Sequence, residues 1–295
     1  MYPSITRRLA LDHALSTGKF PAFDKVGYYH RGRFYSTSNA CISNTKKIEV
    51  VVTKKIEVVN SELPDRDDLG KLHPWFVTGF ADGEACFTVS IRKYPKLKIG
   101  WSIEPSFAIG LHIRNTHLLE KIHAFFGVGQ IKISKVRRTV VYSVHSVKDL
   151  TNVIIPHFCK YPLLTQKGAD FELFKMIIDL INSKEHSTIE GIHKIVSIRG
   201  SLNWGLTPTL AEAFPDIIPV VRPLIKCTEI PHPYWLIGFV EGEGCFEVCI
   251  TKSRTHKTGY CVQLRLSITQ DSRDIALMSS LIEYLKCGSI FSNSY

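Results

Sequence analysis

Two regions of the chain share one order of apolar and polar positions. After Pro74 a stretch of helical length, PWFVTGFADGE, runs to Glu84 and then gives way to period-two alternation. Phe87, Val89 and Ile91 alternate with Thr88, Ser90 and Arg92, the mark of a strand with one buried face. PYWLIGFVEGE after Pro233 does the same, followed by Phe246, Val248 and Ile250 against Glu247, Cys249 and Thr251. Each Pro suits a first helical turn, where its missing N–H costs nothing. A second alternating strand sets Trp101, Ile103, Phe107 and Ile109 against Ser102, Glu104 and Ser106. Its copy sets Tyr260, Val262, Leu264, Leu266 and Ile268 against Cys261, Gln263, Arg265 and Ser267. A helix then presents Leu118, Ile122 and Phe125 in one region and Leu277, Leu281 and Leu285 in the other. The match runs ungapped at an offset of 159, from His73–Ile131 to His232–Ile290. A duplication of this length predicts two like α+β units folded against each other, with anything at the seam built twice.

The first unit continues through a hairpin, Gln130 to His145, to Ser146-Val147-Lys148-Asp149, which has capping-box spacing. Helices are expected over about 149–158 and 166–182. The expected organisation is an extension over 1–68, a first repeat over 69–205, a proline-rich extended linker over 206–231 and a second repeat over 232–295. The second repeat reaches Tyr295 where its own hairpin is due, so it reads as incomplete. The extension lacks sustained periodicity and is expected to be poorly ordered, although it carries a tandem echo, KKIEVV at Lys46 and again at Lys54.

Composition refines this picture modestly. The chain has 295 residues, 44% hydrophobic and 22% charged, enough for one or two domains with a real core. It contains no apolar run of membrane-spanning length. Net charge is +10, which favours a polyanionic partner. Residues 1 to 48 hold eight Lys or Arg against only Asp12 and Asp24, so more than half the excess lies outside the repeats. That half is poor in acids and rich in hydroxyls, as import sequences are, and Arg33-Phe34-Tyr35-Ser36 resembles a mitochondrial processing site. The eight cysteines form no Cys-x-x-Cys pair, which argues against a structural zinc.

Gly79 and Gly83 stand four apart on one helical face, as do Gly238 and Gly242. A mid-helix glycine costs about 0.5–1 kcal/mol relative to alanine, so four of them call for a close backbone contact. Glu84 and Glu243 then fall at the C-terminal ends of the paired helices, where the macrodipole is negative and like charges repel. A divalent cation shared by both carboxylates resolves the conflict, and hard oxygen ligands suit Mg²⁺.

WFVTGFADGEACF and WLIGFVEGEGCF resemble the two signature motifs of single-chain LAGLIDADG homing endonucleases of organellar introns. The resemblance implies a duplicated αββαββα fold, pseudo-twofold, with the signature helices at the interface. It implies metal-binding acids at Glu84 and Glu243, each serving one scissile phosphate, and a more structural role for Asp82 and Glu241. Lys167 matches a basic residue near the cleaved phosphate, with Lys148 as a second candidate. Gln270 matches a polar residue that orders water, although its counterpart in the first repeat is Leu111.

Recognition of double-stranded DNA then falls to the outward strand residues, since a β-surface enters the major groove. These are Thr88, Ser90, Arg92, Ser102, Glu104, Ser106, Lys132 and Ser134 in the first repeat. The second offers Cys249, Thr251, Gln263, Arg265 and Ser267. The expected activity is metal-dependent hydrolysis of both strands, promoting intron homing, by a mitochondrial monomer. An RNA-binding maturase acting on its own intron, or an inactive DNA-binding remnant, are the alternatives. An incomplete second repeat would keep two strands, leave an edge unpaired and leave Leu281 and Leu285 under-covered, so weak activity or instability is expected of the chain alone.

Overall fold

The computed structural model describes residues 47–52, 71–226 and 229–293. Arg33–Ser36 and the second echo at Lys54 lie outside them. The first repeat builds α1 (Pro74–Glu84), β2 (Ala85–Lys93), β3 (Trp101–His112), α2 (Thr116–Phe126), β4 (Gln130–Ser134) and β5 (Thr139–Val144). Its sheet is antiparallel in the order β2-β3-β5-β4. Ser146 caps the next helix, its hydroxyl accepting from the Asp149 N–H at 3.3 Å. That helix runs through Val147–Asp149, a π turn over Leu150–Ile154, and Ile155–Lys160. α3 (Lys167–Asn182) and α4 (Ile189–Ser201) follow, and they cover the inner face of the sheet around Phe87, Phe107 and Phe174.

Alternation in the first sheet is as expected: Phe87, Val89 and Ile91 are buried while Thr88 and Arg92 are exposed. The buried face of α2 is turned slightly from the expected one, with Leu119, Ile122 and Phe126 inside and Leu118 and Phe125 half-buried. Gly127 ends α2 in a left-handed conformation, φ 68°.

The linker is not wholly extended. Pro208–Ala213 forms a helix, α5, with Thr207 as its N-cap and Pro208 in the first turn. Further on, Arg222 pins the chain to the first repeat. Its guanidinium donates to both oxygens of Asp170 at 2.7 and 2.9 Å, and to the Gln166 and Ser201 carbonyls.

The second repeat builds α6 (Pro233–Glu243), β6 (Gly244–Lys252), β7 (Tyr260–Asp271), α7 (Ile275–Leu285) and β8 (Ser289–Asn293). Its sheet departs from expectation. It has four strands in the order β6-β7-β1-β8, where β1 is Lys47–Val52 from the N-terminal segment. Those six residues are thus a strand rather than part of a poorly ordered extension. Four of them are β-branched and the burial alternates, so Ile48, Val50 and Val52 are buried beside Leu277, Met278 and Leu281.

Leu281 is consequently buried and Leu285 packs against the same cluster, contrary to the expected under-covering. Exposed apolar surface lies instead on the same face at the β6–β7 edge, on Phe246, Val248, Ile250, Val262 and Leu264. In the first sheet the matching Phe87, Val89 and Ile91 lie buried in the cluster that includes α3 and α4.

Candidate metal and DNA-cleavage site

The site begins at the crossing of α1 and α6. A Cβ on Gly79 would lie 1.9 Å from the Trp235 carbonyl oxygen, and one on Gly238 would lie 2.1 Å from that of Phe76. Neither neighbour is a side chain able to swing away, so glycine is required at both. One turn on, a Cβ on Gly83 would meet Glu243 Cγ at 3.2 Å and Gly242 Cα at 3.3 Å. Gly242 faces Glu84 Cγ and Gly83 Cα in the reciprocal way. The four glycines therefore form the contact, and they deliver Glu84 and Glu243 side by side at its end. At the opposite end His73 and His232 stack at 4.5 Å, each accepting through Nδ1 the N–H two residues on.

Burial and mutual repulsion disfavour charge on this pair. The Glu84 carboxyl is pushed up to about 7, first by burial and then by Glu243, against a lowering influence from Lys167. Burial also raises Glu243, opposed by Lys167, by a hydrogen bond from Gln270 and by Lys47 of β1. Lys167 reaches back from the first turn of α3, its Nζ donating to the Ala81 and Gly83 carbonyls at 3.1 and 2.8 Å. It thus satisfies C-terminal carbonyls of α1 and places a cation beside both acids.

A cavity of about 150 Å³ opens here, lined by Gly83, Lys167, Glu243 and Gln270 with Asp82, Asp170 and Asp274 among others. Lys148 stands exposed on the helix after β5 and does not line it.

The two acids that stand two residues before Glu84 and Glu243 have different surroundings. Asp82 is buried and accepts from the Leu164 and Thr165 N–H groups, both at 3.0 Å, from Thr165 Oγ1 at 2.6 Å and from Trp235 Nε1 at 2.8 Å. It ties α1, the turn before α3, and α6 into one frame. Glu241, at the matching position, is exposed.

Asp274 is a further buried acid, raised to about 6 chiefly by burial, and it accepts the Gln166 N–H at 2.7 Å. Asp274, Thr165 and the Asp170–Arg222 pair escaped the sequence reading. Each acts across the fold, and the repeat offers no signal, since Asn115 stands opposite Asp274.

Among the described residues no group of three or more His, Cys, Asp or Glu could cage a metal. Two raised carboxylates, of which Glu243 lines the cavity, suit a cation that keeps much of its water, as Mg²⁺ does.

The candidate DNA-facing residues occupy the sheet faces opposite the cores. In the first repeat they form a polar lattice: Arg92 Nε donates to Ser90 Oγ at 3.0 Å, Ser102 Oγ to Glu104 at 3.3 Å, and Arg92 lies 4.0 Å from Glu104. Thr88 donates to the Ser106 carbonyl at 3.4 Å, and Lys132 is exposed on β4 near Ser134. In the second repeat Thr251 and Gln263 are exposed, Cys249 is half-buried, and Arg265 lies 3.8 Å from Glu247. Ser267 is an exception. It is only 5% exposed, because β1 sets Val51 opposite it.

A family model described as LAGLIDADG endonuclease matches residues 77–178 and 236–294. The chain belongs to that family. It is 40% identical to probable intron-encoded endonucleases 3 and 2 of Neurospora crassa, over 81% and 74% of its length. It spans less than half of those proteins, 43% and 49% respectively. Among solved structures it resembles the LAGLIDADG homing endonuclease I-SmaMI bound to cleaved DNA, with TM-score 0.73, 42% identity, and coverage of 76% of this chain and 79% of that one. I-SmaMI bound to its uncleaved target in the presence of calcium ions matches similarly, with TM-score 0.72, 42% identity, and coverage of 76% and 80%. The α+β fold with duplicated motif helices is that of these LAGLIDADG homing endonucleases.

Proposed function

We propose that this chain is a site-specific DNA endonuclease that hydrolyses one phosphodiester on each strand of a duplex and so promotes homing of the intron that encodes it. The observation that carries this reading is the meeting of Glu84 and Glu243 at a glycine-only crossing, beside Lys167. A surface ion pair needs no such crossing, and an RNA-binding splicing helper needs no repelling acids. The intron-encoded relatives and the DNA-bound state of I-SmaMI support the same substrate and an organellar setting. Both motifs reside on one chain, so a monomer suffices.

Glu84 and Glu243 would hold Mg²⁺, each near one scissile phosphate. The chemistry Mg²⁺ supplies when bound is Lewis acidity and a more acidic water. Lys167 adds fixed positive charge where the phosphorane develops, and its two carbonyl bonds hold it there without reorganisation. Gln270 orients the Glu243 carboxylate by donating to it. Asp82 holds the frame through four hydrogen bonds. The polar faces of the two sheets, Thr88 to Ser134 and Cys249 to Arg265, are the base-reading platform, with phosphate contacts from the strand ends.

The test is a plasmid carrying the uninterrupted exon junction of the host gene, incubated with the purified chain. Linear product in Mg²⁺ and none in EDTA is expected. Intact plasmid in both, with the chain folded and bound to its site, would reject the endonuclease reading.

A further inference from the structure

β1 comes from outside either repeat, yet it stands where a repeat needs a strand. In the first sheet β5 lies between β3 and β4, pairing Thr139 with His112 and Ser143 with Gln130. The counterparts of His112 and Gln130 in the second repeat are Asp271 and Ser289. β1 pairs Lys47 with that Asp271 and Val51 with that Ser289, antiparallel on both sides. Lys47–Val52 therefore takes the place of Thr139–Val144 residue for residue.

The faces agree as well. Ile48, Val50 and Val52 are buried as Val140, Tyr142 and Val144 are. Directly paired residues share a face, so Lys47, Glu49 and Val51 stand with Asp271, Thr269 and Ser267 on the side that carries Gln263 and Arg265. Among the described residues β8 is hydrogen-bonded to the sheet through β1 alone.

We propose that Lys47–Val52 is a complementing strand that completes the second sheet and contributes Lys47, Glu49 and Val51 to the DNA-reading face of the second repeat. The second part rests on the endonuclease reading above. Glu49 is the position best suited to discriminate, since a carboxylate accepts from cytosine and repels most other edges and phosphates.

The tandem echo makes the choice of strand a specific one. Residues 55–60, KIEVVN, repeat KIEVVV of 47–52 except at the last position, and the spacing of eight preserves the face pattern. Val52 is 4% exposed, and an asparagine there would bury an amide in an apolar cluster. The first copy fits the slot and the second does not.

The test uses the full chain with Cys245→Ala and Cys287→Ala as background. Val51→Cys with Ser289→Cys should crosslink on mild oxidation, read as a joined peptide by mass spectrometry. Val59→Cys with Ser289→Cys should not. The reverse result, or no crosslink in either, overturns the strand assignment.

For the DNA face, Glu49→Ala and Glu49→Lys are compared on duplexes varied base by base. Preference should change within one half-site, about fivefold to a hundredfold at the discriminated base, with the unfolding midpoint unchanged. Val141→Lys, at the matching position of β5, should act on the other half-site. Equal loss on all sequences, or no change, overturns the reading role of Glu49. A parent chain that binds no duplex would overturn the endonuclease reading instead, and the crosslink would still decide the strand.

Discussion

Replacing Glu84 by glutamine should destroy activity and stabilise the metal-free protein. The Glu84 carboxyl rises from 4.5 to about 7 because burial and Glu243 both disfavour its charge. The native state therefore keeps a proton across that window where the unfolded chain has lost it, so stability falls as pH rises from 4.5 to 7. At about 1.4 kcal/mol per unit, the charged form forfeits roughly 3 kcal/mol above pH 7. Water reaching the half-buried Glu84 side chain and relaxation of Glu243 reduce this, leaving about 2 kcal/mol for Glu84→Gln. For a domain of this size that is about 4–8 °C in Tm. Thermal unfolding in EDTA at pH 8 should show the gain, and the same comparison at pH 4 should show almost none. Adding Mg²⁺ at pH 8 should raise the parent protein and narrow the gap. A variant no more stable than the parent at pH 8, or equally stabilised at pH 4, would refute the repulsion argument.

Other consequences concern the crossing, the cation and a buried histidine. Gly79→Ala places a methyl against the Trp235 carbonyl, where a Cβ would lie 1.9 Å away, and should cost about 3 kcal/mol in urea unfolding and at least ~100-fold in cleavage. Gly83→Ala, whose nearest contact is the Glu243 side chain at 3.2 Å, should be milder on both readouts. Lys167→Met keeps the buried stem but removes the charge, so single-turnover cutting should drop by about 10²–10³ while site binding persists. His157, held down to about 4 by burial and joined to Thr78 Oγ1 at 3.1 Å, stays neutral when folded. Its contribution to stability should therefore be lost as pH falls from 6.5 to 4, and urea midpoints of His157→Gln should lack that part of the slope.

The signature helices, their glycines and the paired acids were legible because they occur twice. Recurrence at one offset turns four isolated glycines and two glutamates into a crossing with a charge problem. Strand faces were legible for the same reason, and Phe87 and Phe246 were both read as inward.

They meet different fates, since Phe87 is fully buried and Phe246 is 54% exposed. The sequence pattern of a strand does not report what covers it. β1 was missed because six residues, four of them β-branched, also suit an unpaired tail, and its partners lie more than two hundred residues away. Only the slot between β7 and β8 distinguishes them. The helix Pro208–Ala213 was missed because proline density favoured an extended linker. There Pro208 instead occupies a helical first turn. Asp82 was legible as structural, but its indole donor from Trp235 was not, because the matching residue in the other repeat is Phe76.

Anomalous diffraction from crystals grown with duplex and manganese in place of magnesium bears most directly on the two glutamates as metal ligands. Peaks within about 2.2 Å of carboxylate oxygens of both Glu84 and Glu243, beside the phosphates of the two strands, are the predicted result. Manganese bound elsewhere, with those side chains turned to solvent or bonded only to protein, would contradict it.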